Sequence, residues 1–518
     1  MTRRLRRSVW AAVATCAAVL ATGGAAHAGP TPDVIKTGSG AVRGSAGTYL
    51  AIPYAAAPVG DLRWKAPQSA PAWSGVRDGT RPPAACPQPK VETISEDCLY
   101  LNVYTPSRGG KRKPVIVWLH GGANTSGHST QYPADTLADR TGSVVVTVNY
   151  RLGPLGFLTL PGLQAENAAL NHGIQDQQAA LRWVRRNIGA FGGDRTRVTL
   201  SGESAGSIDT CINMVSPSAA GLMHRAILQS GPCSQATQNG TMEQATARSQ
   251  TYATGLGCPA GPEQIACLRG KSVSELLSIQ PPPGTLPVWT PVIDGRIIPA
   301  HPQALIESGR LPRIPVMVGH TRDEGRFITA LQYQSVGDTL TEDEYRQLLT
   351  AAVGPQAALL LGQVYSSTRY GSPEKALAAL FTDNLFACPN IRTARALSTK
   401  TRTFAYRFSD PNPPVWDLVP PNSVDLGAYH GSELPFLFDI TTTPPFTTAQ
   451  SALSEQMMHY WGNFAATGNP NIGVRSPLWP RFDSTTPWRD LKPGANETLP
   501  FDALRNEHNC GVWDALGS

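Results

Sequence analysis

The residues of this chain best suited to covalent chemistry lie in Arg197-Val198-Thr199-Leu200-Ser201-Gly202-Glu203-Ser204-Ala205-Gly206. A short apolar stretch runs into Gly-x-Ser-x-Gly, and a helix-compatible segment follows. Such a pattern sets a serine on a tight strand-to-helix turn with its hydroxyl exposed for nucleophilic attack. The residues two before and two after the serine must be small, a condition met by Gly202 and Gly206. Ordinary Ser/Gly turns can look the same. The reading therefore rests on whether a base, an acid and an anion-stabilising loop accompany the serine.

Three further segments supply those parts. His120-Gly121-Gly122-Ala123 follows the apolar run 114–119, and its glycines let backbone N–H groups approach a ligand. Gly319-His320-Thr321-Arg322-Asp323-Glu324-Gly325 follows the run 314–318 and carries two adjacent carboxylates, between which residue chemistry alone does not choose. Tyr429-His430-Gly431-Ser432-Glu433 comes later and offers an imidazole. The order serine, acid, histidine is that of α/β-hydrolases and differs from other serine hydrolase folds.

The elements that must hold these loops read as alternating strands and helices. Residues 114–119 and 144–148 are continuous apolar, β-branched runs, as expected of strands buried on both faces. Residues 198–200 and 314–318 are shorter versions. Residues 403–408 alternate more and are expected toward a sheet edge. Helical spacing runs over 175–188, punctuated by Gly192-Gly193, and over 451–467, closed by Gly468. The expected fold is α/β: a large, mainly parallel central sheet with helices on both faces. The catalytic gorge is expected at the carboxyl ends of the strands.

Residues 1–28 are expected to be a signal peptide: four arginines, a short apolar run and Ala26-His27-Ala28 as cleavage signal. Residues 29–518 are then expected to form a single domain. The whole chain counts 44 Lys and Arg against 38 Asp and Glu. Without the leader's four arginines the balance is 40 against 38, or +2, which gives no electrostatic reason to invoke nucleic acid or an anionic membrane. No later segment is long and apolar enough to span a bilayer. Eight of the nine cysteines remain, an even number that suits disulfides in an exported protein. Cys86/Cys98 and Cys258/Cys267 are spaced to staple small loops. No Cys or His cluster has zinc-ligand spacing, and no metal or cofactor is expected.

Taken together these residues resemble the type-B carboxylesterases, the cholinesterase-like branch of the α/β-hydrolase fold, in the form of an exported bacterial-type enzyme. The motifs that carry the resemblance are Glu96-Asp97-Cys98-Leu99-Tyr100-Leu101-Asn102 and Gly202-Glu203-Ser204-Ala205-Gly206. Between and after them come Asp176-Gln177, Phe191-Gly192-Gly193-Asp194, Gln229-Ser230-Gly231, Asp323-Glu324-Gly325 and His430-Gly431-x-Glu433. The resemblance implies Ser204 as nucleophile, His430 as general base and Glu324 as the acid that orients it. It implies the backbone N–H groups of Gly122, Ala123 and Ala205 as an oxyanion hole, with Glu203, Ser230 and Glu433 as polar support behind the triad. It also implies the disulfides Cys86–Cys98, Cys258–Cys267 and Cys388–Cys510, which leaves Cys211 and Cys233 to pair with each other.

Departures from the family pattern narrow the substrate. The loop between Cys86 and Cys98 has 11 residues and no aromatic one, so a choline-binding cation–π subsite is not expected. The same loop carries Lys90, Glu92, Glu96 and Asp97, which suit an interfacial lipase flap poorly. Asn124 stands where the family usually has an aromatic residue, and it is expected with Phe327 at the substrate pocket. The expected activity is hydrolysis of soluble short or medium carboxylic esters by an exported enzyme with no nucleic-acid partner. Alternatives are a lipase or acyl-transfer enzyme of the same fold and, in another class, a non-catalytic cholinesterase-like binding protein. The last is disfavoured because all three triad positions are filled. The sequence leaves the oligomeric state open.

Overall fold

The computed structural model describes residues 34–516, apart from 167–168, 237–240, 280–288, 333–338, 417–424, 473–476, 484 and 495–496. The expected signal peptide lies outside the described residues. The β-branched runs become strands of one ten-stranded sheet. In chain order these are β1 (Thr48–Pro53), β2 (Tyr100–Tyr104), β3 (Lys113–Leu119), β4 (Val144–Val148) and β5 (Gly193–Glu203). Then follow β6 (Arg225–Gln229), β7 (Val316–Thr321), β8 (Thr403–Phe408), β9 (Trp488–Leu491) and β10 (Glu497–Leu499). Across the sheet the order is β10-β9-β8-β7-β6-β5-β3-β4-β2-β1. From β9 to β4 neighbouring strands are parallel. Antiparallel pairs occur only toward the edges, between β10 and β9 and among β4, β2 and β1.

The period-two geometry of a strand sorts the apolar residues onto two faces. Val115, Val117, Leu119, Val144, Val146 and Val148 join one core cluster, whereas Ile116, Trp118 and Val145 join the other. Both faces are covered, as a parallel sheet requires. On one face lies the helix His172–Asn187, tied to the loop after β4 by the buried pair of Arg151 Nε with Asp176 Oδ2 at 2.7 Å. On the other lies Thr448–Thr467, which begins at a reciprocal cap between Thr447 and Gln450 and ends on left-handed Gly468 at φ +73°.

Strand β8 lies third from the β10 edge, between β7 and β9, with all six residues buried. Its polar member Arg407 gives the sequence an edge-like alternation. In the fold its guanidinium is paired with Asp490 of β9 at 3.1 Å and with Glu507 at 2.7 Å, so the charge is compensated inside the sheet. Four disulfides are formed: Cys86–Cys98, Cys211–Cys233, Cys258–Cys267 and Cys388–Cys510. Among the described residues no helix is long and apolar enough to cross a membrane.

Candidate active site

Strand β5 ends at Glu203, and the next residue turns sharply. Ser204 has φ +56° and ψ −125°, a conformation side-chain-bearing residues adopt only where the surroundings enforce it. The enforcement is steric. A Cβ on Gly202 would lie 2.3 Å from the carbonyl oxygen of Gly206, and one on Gly206 would lie 2.1 Å from that of Leu119. The Ser204 N–H donates to the Gln229 carbonyl of β6 at 2.9 Å. From Ser201 to Ser207 every residue is buried except Ser204. The helix Ala205–Val215 begins immediately afterwards, so the positive end of its dipole lies at the serine, whose carbonyl accepts the N–H groups of Ser207 and Ile208 at 3.0 and 3.1 Å.

The loop after β3 packs against this turn. A Cβ on Gly121 would lie 3.0 Å from the Ser204 Cβ and 2.7 Å from Glu203 Oε2, so only glycine permits the approach. Gly122 (φ +102°) and Ala123 (φ +56°) turn the backbone, and the Gly122 carbonyl is occupied by the N–H groups of Thr125 and Ser126. The N–H groups of Gly122, Ala123 and Ala205 donate to no group among the described residues. His120 is the buttress of the loop. It is buried, its Nδ1 is 2.8 Å from the Gly121 carbonyl, and its ring stacks on Tyr150 with centroids 4.4 Å apart. Burial depresses its pKa to about 3, so this imidazole stays neutral.

The two adjacent acids after β7 separate by position. Glu324 is fully buried and places Oε2 2.5 Å from His430 Nδ1, while its Oε1 accepts the Thr321 N–H at 2.8 Å. Asp323 instead accepts the Ala428 N–H at 2.9 Å and donates its own N–H to the Ala428 carbonyl, anchoring the base of the histidine loop. His430 Nε2 lies 3.1 Å from Glu203 Oε1, although the angle makes no hydrogen bond. No Ser204–His430 hydrogen bond is formed among the described residues; such contacts often tighten only with substrate bound. Behind the turn, Gln229 joins the Trp461 indole N–H to Glu433 Oε1 at 3.2 Å. Ser230 sits at φ +52° with its hydroxyl buried and unpartnered, and Glu433 Oε2 is likewise unpartnered.

Three carboxyls, those of Glu203, Glu324 and Glu433, thus surround one imidazole without bulk water. Burial raises the Glu203 pKa to about 8, assisted by Glu433 and Glu324 and opposed by His430. Burial and the Glu324 charge raise Glu433 to about 7. Burial alone would lower His430, but Glu203 and Glu324 outweigh it and lift it to about 9. The three titrations belong to one interacting group. Its direction is clear: Glu203 and Glu433 lean neutral, and the imidazole holds a proton more readily than in water.

Two aromatic rings flank His430. Phe327 lies 6.2 Å away by ring centroid, roughly parallel and half-buried. Phe386 is nearer, at 4.7 Å. Sequence reading missed Phe386 because it sits in a π-helical stretch, Thr382–Ala387, which has no periodic signature. The same stretch clamps the acid: the Gly325 N–H donates to Thr382 Oγ1 at 2.8 Å, and a Cβ on Gly325 would lie 2.0 Å from the Ala378 carbonyl. Asn124, expected at the pocket, is 2% exposed. It turns its amide to Asp209 Oδ1 at 3.3 Å, beneath the loop. Its polarity serves a buried acceptor whose pKa burial lifts to about 7.

The loop between Cys86 and Cys98 is pinned at both ends. Gln88 exchanges hydrogen bonds with Gly127, at 2.9 and 2.8 Å, and Arg63 grips Glu96 bidentately at 2.7 and 2.6 Å.

Comparison with known proteins gives one consistent answer. The Carboxylesterase family profile matches residues 32–513. A cocaine esterase of Homo sapiens is 35% identical over 497 residues, covering 88% of this chain and 86% of the relative. A pyrethroid hydrolase, Ces2e, of Rattus norvegicus is 36% identical over 495 residues, covering 88% and 84%. A solved PNB esterase superposes with a TM-score of 0.77 at 32% identity, covering 92% of this chain and all of that one.

Proposed function

The chain belongs to the carboxylesterase family and is a carboxylic ester hydrolase of α/β-hydrolase fold; from that premise we propose that it works through a Ser204–His430–Glu324 triad. The observation that carries the proposal is the convergence of three separate strand ends. Ser204 is strained and half-buried at the end of β5, Glu324 follows β7, and His430 is bonded to Glu324 through Nδ1. The imidazole takes the Ser204 proton as the oxygen attacks the ester carbonyl, and later returns it to the leaving alkoxide. Glu324 fixes the tautomer and offsets the imidazolium charge. The oxyanion forms against the free N–H groups of Gly122, Ala123 and Ala205, each worth about 2.7–4 kcal/mol of barrier. Water then attacks the acyl-enzyme along the same path.

Glu203, Ser230 and Glu433 support this centre electrostatically. Phe327 and Phe386 wall the imidazole side of the pocket, and Asn124 holds the oxyanion loop from beneath.

The substrates are soluble esters of short or medium size. The pinned loop 87–97, charged and without an aromatic ring, offers neither a mobile apolar flap nor a cation–π platform. The relatives' names, which include a cocaine esterase, an acylcarnitine hydrolase and a pyrethroid hydrolase, describe esters of varied bulk, in keeping with a general esterase. The four disulfides support export, with residues 1–28 as signal peptide and 29–518 as the mature single domain. A panel of esters varied in acyl and alcohol size, with Ser204→Ala as blank, tests the reading. Hydrolysis is expected to fall away with long acyl chains and to be absent from the blank. Full activity in the blank, or a rate that jumps at a lipid interface, would overturn it.

A further inference from the structure

At the opposite end of the sheet from Ser204 is a second concavity with its own chemistry. It lies where β7 and β8 begin and has a volume of about 370 Å³. Arg313, Lys400, Arg402 and Arg481 line it, together with Pro315 and the hydroxyl residues Ser398, Thr399 and Thr401; among the described residues no acidic one does. None of the four cations makes an ion pair or side-chain hydrogen bond among the described residues. The hydroxyls do not serve as counter-charges either. Ser398 donates to the Arg395 carbonyl, Thr399 to that of Ala396 and Thr401 to that of Ile314.

This arrangement is not the by-product of a basic surface. Beyond residue 28 the chain has 40 cations against 38 acids, so four unpaired cations in one cleft are a local concentration. The helix Cys388–Ser398 ends at the cleft, and its exposed carbonyl end favours a neighbouring cation. That accounts for Lys400, just past the helix end, and not for Arg313 and Arg481, which come from other segments. Like charges sharing a concavity repel, and a polyvalent anion would relieve the repulsion. Three guanidinium forks with one ammonium suit oxygens in tetrahedral array, since arginine grips phosphate bidentately and lysine adds a point charge.

We propose that this cleft binds a small soluble polyvalent phosphate, carrying two or more phosphoryl charges, at a site separate from the ester-hydrolysing centre. The phosphoryl oxygens sit among Arg313, Arg402 and Arg481, with Lys400 closing one side.

The test is calorimetric titration of the full chain with tripolyphosphate at fixed ionic strength. Two double variants accompany it, Lys400→Gln with Arg402→Gln and Arg313→Gln with Arg481→Gln. The side chains are at the surface, so p-nitrophenyl ester turnover in each variant reports that the fold is intact. Saturable one-site binding is expected, weakened about tenfold or more in either variant, and falling with added salt as phosphate contacts do. Absence of saturable binding, or equal binding by the native chain and both variants, would overturn the proposal. A parallel sedimentation with phosphatidic-acid vesicles separates the other source of phosphate. If vesicles capture the chain and tripolyphosphate gives no saturable heat, a membrane headgroup replaces the soluble ligand and the proposal fails.

Discussion

His430 and His508 each set Nδ1 on a buried carboxylate, 2.5 Å from Glu324 Oε2 and 2.8 Å from Asp383 Oδ1. The difference is in what each second nitrogen meets. His508 Nε2 is enclosed and unpartnered, with the ring edge-on to His320 at 5.3 Å. The remaining oxygen of Asp383 is filled by the Tyr365 hydroxyl at 2.8 Å and Asn509 Nδ2 at 3.0 Å. That pair fastens the C-terminal helices to the π-helical stretch. His430 Nε2 lies 3.1 Å from Oε1 of Glu203, the residue before Ser204, and Ser204 is the one half-buried residue of an otherwise buried elbow. A carboxylate–imidazole pair is therefore a fastener or a proton carrier according to whether a nucleophile shares its open side.

Substitutions at the two imidazoles and their partners separate the two roles. Loss of the proposed base, His430→Ala, is expected to reduce kcat by about a millionfold, as removal of a triad member does elsewhere. His508→Ala is expected to leave kcat within about tenfold. Steady-state kinetics on both variants decides whether the two imidazoles differ in kind. Next in size is Glu324→Gln, which keeps the shape but spoils the tautomer, at a cost of about ten-thousandfold in kcat. Gly122→Ala follows. Its Cβ would lie 2.2 Å from the Ser126 carbonyl, so the oxyanion loop must shift, costing about a hundred- to a thousandfold in kcat with KM little changed. Asp383→Ala should affect the rate least. It strands the donors of His508, Tyr365 and Asn509, so a stability loss of about 3 kcal/mol is expected in denaturant unfolding.

The pH profile sharpens the electrostatic side of the contrast. The proposed role of His430 as base requires a neutral ring, and its pKa is raised to about 9 against the opposition of burial, chiefly by Glu203 and then by Glu324. The rate of the native enzyme should therefore rise with pH through a limb above the ordinary imidazole range. Glu203→Gln removes the largest raising influence, so that limb should move to lower pH. A limb that stays in place would mean Glu203 is already neutral where the imidazole titrates.

Much of this centre was legible in the sequence because tight geometry constrains residue type. Gly202 and Gly206 have no room for a side chain, and the oxyanion loop needs glycine where its backbone nears the serine. These restrictions leave short, ordered motifs. What was not legible depends on distant packing. Phe386 approaches His430 only because a π-helical turn rotates it there, and no local pattern announces such a turn. Arg407 hid the full burial of β8, since its partners Asp490 and Glu507 lie 83 and 100 residues away in sequence. Asn124 is polar for the sake of Asp209, 85 residues on. The choice between Asp323 and Glu324 is likewise tertiary: both reach the histidine loop, but only Glu324 meets the His430 ring, while Asp323 meets the backbone of Ala428.

The most direct test of the central claim is covalent. The purified chain, with native and Ser204→Ala forms side by side, is treated with a fluorophosphonate, and the adduct is located by peptide mass spectrometry. One adduct per chain is expected, on Ser204, with ester hydrolysis lost in step with labelling and neither event in the variant. Labelling at another serine, or hydrolysis that survives complete labelling of Ser204, would contradict it.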